Sequence, residues 1–348
     1  MLLDQIFKIG VDKGASDVHL VVNEPPIIRI NGVLYRLDDF GIINKKKVEE
    51  LIYTILTPKQ KEDFINTREM DVSHELSSGE RFRVNLHFEK GNPGLVARII
   101  NTEPPTMEST NMPQIVYRLA ELNQGLIILT GPTGCGKSTS LAAIINYINN
   151  SRAANIITME DPIEFVFQPQ KSIIRQRQYG FDFVSFPEAL KHVLRQDPNV
   201  IMVGEMRDLE TISSTITLAE TGHLVLTTLH TPNASQTIDR IIDIFPPHQQ
   251  DQIRMQLSMC LIGVIAQQLL PAPDGQSRVV AREIMINTPA VANLIRENKI
   301  AQIKTVIQTS SDDGMISMDQ YLQQLIKEKL ITKEIAKKYA IDGSVFNE

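Results

Sequence analysis

The chain lacks several things that would each commit it to a class of protein. Cysteine occurs only at Cys135 and Cys260, too few for a four-cysteine zinc site or the disulfide framework of a small secreted domain. A reducing cytoplasm is the expected setting. Tryptophan is absent and aromatic residues make up 5% of the chain, with no stretch that alternates them with basic residues to stack and neutralise a single nucleic-acid strand. Positive charge is in deficit, 35 Lys and Arg against 41 Asp and Glu for a net charge of -6, which argues against an all-over cationic surface for nucleic acid or anionic lipid. Long hydrophobic runs are missing too. The longest apolar stretch, Met259 to Ala266, is far below the ~18 residues a bilayer-spanning helix needs. The first residues have no positive region and meet Asp4 early, so they read as an amphipathic helix rather than a secretion signal.

What is present fits a folded protein of two domains. At 348 residues and 42% hydrophobic, each half is long enough to bury a core of its own. From Met1 to about Ile100 the pattern is mixed, with helical spacing in Leu3, Ile6 and Phe7 and again in Val48, Leu51, Ile52 and Ile55. Between them lie strand-like segments. Ile27–Ile30 and Val33–Leu37 flank Asn31-Gly32, the pair that favours a type I′ hairpin, and Asp71–Leu76 faces Arg81–Phe88 across a second turn. This predicts an α+β domain with an antiparallel sheet over residues 1–100. Residues 101–114, rich in Pro, Thr and Glu, read as an ordered linker.

Over 115–348 the grammar changes to continuous apolar runs, Leu126–Leu129, Ile156-Ile157, Val200–Val203 and Leu224–Leu226, alternating with helical stretches. Strands buried on both faces look like this, and the intervening helices supply the crossovers of a parallel sheet. From about Pro246 the chain is expected to turn mainly helical, with one strand candidate at Val279–Ile286.

The sharpest signal lies where the first of these runs ends. Gly131-Pro132-Thr133-Gly134-Cys135-Gly136-Lys137-Ser138 fits GxxxxGKS, with a strand before it and a helix from Thr139 after it. Glycines let the backbone wrap a polyphosphate, successive N–H groups face its oxygens, Lys137 reaches the β and γ phosphates, and Ser138 can ligate Mg²⁺. Cys135 is expected to offer only its backbone. Hydrolysis also needs a group to activate water. Glu205, ending the run Ile201-Met202-Val203-Gly204, and Glu160, ending the strand before it, are carboxylates at strand ends, where parallel sheets gather their ligand contacts. His223 and His230 bracket the run Leu224–Leu229 and lack further ligands at metal spacing, so either a structural or a sensor role is open to them.

Taken together these features resemble the secretion ATPase superfamily, and closely its type IV pilus retraction ATPases. The resemblance spans nearly the whole chain: Gly14–Leu20, Pro25–Gly32, Arg81–Asn85, the phosphate loop, Glu160–Phe165, Gly204–Asp208 and Thr221–Leu224 all carry it. It implies a PAS-like N-terminal domain on a RecA-like ATPase domain, assembled as a homohexamer that sits peripherally on the inner face of the cytoplasmic membrane. There it would meet a pilus platform protein and use ATP and Mg²⁺, with no nucleic acid and no insertion into the membrane. It implies further that Glu205 is the catalytic carboxylate and that Glu160 and Glu164 act near the nucleotide, Glu160 also as a possible Mg²⁺ ligand. His223 would contact the nucleotide and His230 would join the chemistry, while Arg81, Arg83 and Arg98 would approach the γ-phosphate. Pilus extension and type II secretion ATPases carry extra N-terminal domains and a four-cysteine motif that this sequence lacks. Residues Thr288–Glu297 resemble the segment retraction ATPases need besides hydrolysis, with Ala292 where an arginine is common. Two other functions stay open on the residues alone. One is a nucleic-acid translocase using Lys171, Arg175 and Arg177; the other is a nucleotide-gated scaffold without turnover.

Overall fold

The helical spacing at the amino terminus is realised as a helix, Leu2–Asp12, that buries Leu3, Ile6 and Phe7 and stacks Phe7 on Phe82 with ring centroids 4.4 Å apart. The protein is seen here as a computed structural model describing residues 1–100, 103–274 and 277–346. Part of the expected linker, residues 101 and 102, lies outside the described residues. Two units divide the chain, Met1–Glu103 with Glu164–Val166, and Pro104–Ile163 with Phe167–Glu348.

The first unit is an antiparallel six-stranded sheet. Its strands are β1 (Asp17–Leu20), β2 (Ile27–Ile30), β3 (Val33–Arg36), β4 (Glu69–Glu75), β5 (Arg81–Glu89) and β6 (Asn92–Ile100), in the spatial order β3-β2-β1-β6-β5-β4. Asn31 and Gly32 both take positive φ, 50° and 83°, which the tight β2–β3 turn demands. Period-two alternation decides the two faces. Val18, Ala97, Val84 and Val72 pair across β1, β6, β5 and β4 in one buried row. One residue along, Asp17, Arg98, Arg83 and Ser73 make the neighbouring row, pointing to the other face.

In the second unit seven strands form one sheet: β7 (Gly125–Thr130), β8 (Asn155–Glu160), β9 (Ile173–Gln178), β10 (Val200–Val203), β11 (Leu224–Thr228), β12 (Leu261–Pro271) and β13 (Arg278–Ile286). Their order is β13-β12-β7-β11-β10-β8-β9, and every neighbouring pair is parallel except β12 with β13. The apolar runs lie in the buried centre, and helices such as Lys137–Ser151, Leu209–Glu220 and Ala234–Asp243 make the crossovers. Among the described residues no helix is long and apolar enough to cross a membrane.

One element differs from the sequence reading. The chain beyond Pro246 is less helical than expected, because β12 continues directly from the helix Pro247–Cys260 and pairs with β13 in a long hairpin. A doubly buried strand has no period of two, and its continuous apolar run reads like a buried helix. Of the basic stretch, Arg175 and Arg177 lie on β9, at the sheet edge, and Lys171 lies just before it. Lys171 Nζ donates to the Ser151 carbonyl and an Arg177 N–H to the Asp182 carbonyl, so both charges already serve the local fold.

Candidate nucleotide site

The parallel strands β7, β11, β10 and β8 end side by side, and each carboxyl end carries one candidate group: the phosphate loop after β7, His230 after β11, Glu205 after β10 and Glu160 closing β8. The register holds them level, with Leu129 opposite Thr228 and Val203 between Thr227 and Met159. A crevice at the carboxyl ends of a parallel sheet is where such folds bind ligands.

Backbone conformation explains the loop's glycines. Gly131, Gly134 and Gly136 have φ of 141°, 77° and 86°, a region closed to most side chains. A Cβ on Gly131 would also collide with the Gln267 carbonyl oxygen and the Cys135 sulfur. Thr133 is exposed on the loop, while Ser138 and Thr139 sit in the first turn of the helix Lys137–Ser151. Lys137 is buried, and its ammonium donates to the carbonyls of Gly131 at 2.8 Å and Pro132 at 3.1 Å. It also lies 3.3 Å from His230 Nδ1. An ammonium can only donate, so Nδ1 accepts and the neutral ring carries its proton on Nε2. That nitrogen lies 2.8 Å from Glu205 Oε1, while Arg207 Nε donates to Glu205 Oε2 at 2.9 Å. Lysine, histidine and carboxylate thus form one continuous chain.

Glu160 is more deeply set. Its Oε1 accepts from Thr158 Oγ1 at 2.7 Å and Gln176 Nε2 at 3.0 Å. Gly204 passes beside the end of β8, where an added Cβ would stand 3.2 Å from the Met159 carbonyl oxygen. Of the remaining sequence candidates, His223 belongs to this sheet and lies at its other edge. His223 precedes β11 and its carbonyl accepts from the Gly125 N–H, which places it at the amino edge of the sheet, opposite the phosphate loop. Its ring nitrogen Nδ1 faces the Leu218 carbonyl at 3.1 Å. Glu164 belongs to the short segment that groups with the first unit. Arg81, Arg83 and Arg98 are on β5 and β6, with ion-pair distances of 3.4 Å to Glu75, 4.0 Å to Asp71 and 3.1 Å to Asp17.

Sequence reasoning overlooked a set of supporting residues. Thr130 Oγ1 accepts from the Thr231 N–H at 2.9 Å, and the Thr231 hydroxyl lies 2.6 Å from that of Thr237, which ties the His230 turn to the end of β7. Gln267 is fully buried beside the loop. The only signal for it was an amide pair, Gln267-Gln268, interrupting an apolar run. Arg207 stood in plain view, but its grip on Glu205 depends on a turn that spacing does not reveal.

Both cysteines are buried, and burial is the main force raising their thiol pKa values, Cys260 to about 12. Thiolate is the reactive form, so neither should react readily near neutral pH. Iodoacetamide is expected to modify neither residue in the native protein at pH 7.5 and both after unfolding in guanidinium, as read by intact mass. Fast native labelling of Cys135 would contradict a loop packed in this way.

A glycine loop that opens a helix after a buried parallel strand, with its lysine linked to a strand-end carboxylate, defines a P-loop nucleotide hydrolase. The chain belongs to the Type II/IV secretion system protein family, which it matches over residues 1–343. It is 44% identical over 340 residues to the type IV pilus retraction ATPase PilT of Pseudomonas aeruginosa, covering 98% of both chains. To the twitching motility protein of Neisseria gonorrhoeae it is 46% identical over 315 residues, covering 90% of this chain and 84% of that one. The crystal structure of the pilus retraction motor PilT with bound ADP superposes with a TM-score of 0.91 at 43% identity, covering 97% of this chain and 96% of that one.

Proposed function

We propose that this protein is the ATP-driven motor of type IV pilus retraction, using hydrolysis to withdraw pilin subunits and so to support twitching motility. The observation that carries the reading is the Lys137–His230–Glu205 chain at the mouth of the phosphate loop, on a fold similar throughout to that of a retraction motor. ATP is the substrate. Loop N–H groups and Lys137 would hold its phosphates, and Glu205 would take a proton from water as the water oxygen bonds to the γ-phosphorus and the bond to the β-phosphate oxygen breaks. His230, in contact with both lysine and carboxylate, would register whether phosphate has drawn Lys137 away.

The residues also fit Mg²⁺. Among the described residues no three His, Cys, Asp or Glu cluster to cage a metal, which suits an ion held by one hydroxyl, phosphate oxygens and water. Ser138 would supply that hydroxyl, with Glu160 as a candidate acid. When bound, the ion would neutralise charge on the β and γ phosphates.

The working form we propose is a homohexameric ring, cytoplasmic and peripheral at the inner membrane face, engaging a platform protein of the pilus machine, with a PAS-like fold for the first unit. His223 and Glu164 would then meet nucleotide across a subunit boundary. Deleting the gene is expected to leave cells with excess surface pili and no twitching, both restored by the wild-type gene and neither by one carrying Lys137→Ala. Loss of pili on deletion would instead indicate an extension motor, and normal piliation with normal motility would remove the protein from the pilus machine.

A further inference from the structure

Gln267 lies on β12, fully buried, with both ends of its amide engaged. Its Nε2 donates to the Cys135 carbonyl at 2.8 Å, and its Oε1 accepts from Ser140 Oγ at 2.9 Å. Cys135 is in the phosphate loop; Ser140 is one turn into the helix that follows. A single side chain from a different strand therefore spans the join between loop and helix. Burying a primary amide is costly unless every polar atom finds a partner, and an apolar residue would fill the same space more cheaply. The amide's position calls for a further reason.

Peptide geometry supplies one. In a trans peptide the C=O and the following N–H point in opposite directions. With the Cys135 carbonyl drawn toward Gln267, the Gly136 N–H must point away from it. Gly136, at φ 86°, has no side chain to restrain that plane, and glycine moves between such conformations at little cost. In a loop that binds phosphate through its N–H groups, a peptide turned the wrong way presents an oxygen to an anion in place of a donor. The second hydrogen bond adds precision. The Cys135 carbonyl can only accept, so the amide cannot turn its oxygen there, and Ser140 then holds Oε1 in place. The backbone of Gln267 does related work, since its carbonyl oxygen occupies the space that a Gly131 Cβ would need.

We propose that Gln267 is the positioning residue of the nucleotide site, fixing the Cys135–Gly136 peptide so that the Gly136 N–H is presented to phosphate before nucleotide arrives. The inference rests on the nucleotide-hydrolase reading above. It predicts an effect on affinity more than on the chemical step, because the oriented donor meets ground-state phosphate and transition state alike.

The test uses the full-length protein and a fluorescent ADP analogue, mant-ADP. Gln267→Met keeps the length and volume of the side chain and removes the donor. It is expected to weaken mant-ADP binding by roughly 10- to 100-fold, the loss of one charge-assisted hydrogen bond. KM for ATP should rise in parallel while kcat at saturation stays within about threefold. Ser140→Ala, which frees the amide without deleting it, should cost a smaller part of the affinity, and it keeps the question answerable if the methionine variant does not fold. Wild-type affinity in either folded variant overturns the proposal. So does a fall in kcat at unchanged KM, or a drop in the nucleotide-free melting temperature with no change in affinity, which would make Gln267 a packing residue. If the wild-type protein itself fails to bind mant-ADP, the nucleotide-hydrolase reading falls instead.

Discussion

Glu205→Gln is expected to stop ATP turnover while leaving nucleotide bound, and Lys137→Ala to lose turnover because nucleotide no longer binds well. The two defects should separate cleanly in one pair of measurements, steady-state phosphate release and equilibrium binding of labelled nucleotide. Glutamine keeps the size of Glu205 and an oxygen for His230 Nε2, which now lies 2.8 Å from Glu205 Oε1, but it cannot accept a proton from water. Loss of a positioned general base costs typically about 10² to 10⁴ in rate. Arg207 would lose its ion pair with Glu205, a partly exposed contact that contributes little to stability. Lys137 acts earlier. Its ammonium now rests on the Gly131 and Pro132 carbonyls, 2.8 and 3.1 Å away, and phosphate oxygens would replace these with charged acceptors. Near-normal turnover by Glu205→Gln with nucleotide bound would remove it from the chemical step. Tight binding by Lys137→Ala would place the affinity in the loop backbone alone.

The same site shows which parts of a sequence can be read directly. The glycine loop was legible because strand, loop and helix are contiguous and each residue type has a local reason: positive φ at Gly131, Gly134 and Gly136, and a charge at the helix start. Glu205 and Glu160 were legible as strand ends, since a parallel sheet brings such ends together whatever its strand order. Contacts between distant segments were not. Gln267 reaches Cys135 across 132 positions, and no local period marks it as different from a core residue. His223 and His230 bracket one short run in the sequence, yet a strand separates its ends, and His230 is at the end that carries the phosphate loop, beside Lys137. In the first unit Arg83 and Arg98 share a face because each differs from a buried neighbour, Val84 or Ala97, by a single position. β12 was hidden for the reverse reason, as both of its faces are covered.

Those arginines lead to the second large effect. Arg83 and Arg98 stand directly opposite each other on β5 and β6, and like charges so placed repel. Their acidic neighbours relieve this unevenly, Asp17 at 3.1 Å from Arg98 and Asp71 at 4.0 Å from Arg83. The Arg98 side chain is 73% exposed, and the buried Asp17 carboxylate keeps a hydrogen bond from Ser16 Oγ and Arg29 at 4.0 Å when Arg98 is removed. A pair of exposed guanidinium groups held together at this cost suits an anion brought from outside, and the ring proposed above would bring the γ-phosphate of a neighbouring subunit. Arg98→Ala should then fold normally and melt within a few degrees of the wild type, since exposed substitutions usually change stability by no more than about 0.5 kcal/mol. Its kcat should fall by about 10³ or more, the scale of an arginine acting on transferring phosphate. Mixing Arg98→Ala with Lys137→Ala, each inactive alone, should recover part of the turnover, because some boundaries would join an intact phosphate loop to an intact arginine. The recovered rate should grow with total protein concentration, as subunit exchange requires. Full activity in Arg98→Ala would show that the arginine only balances Asp17. Two inactive proteins that stay inactive when mixed under conditions where subunits exchange would confine its action to its own chain.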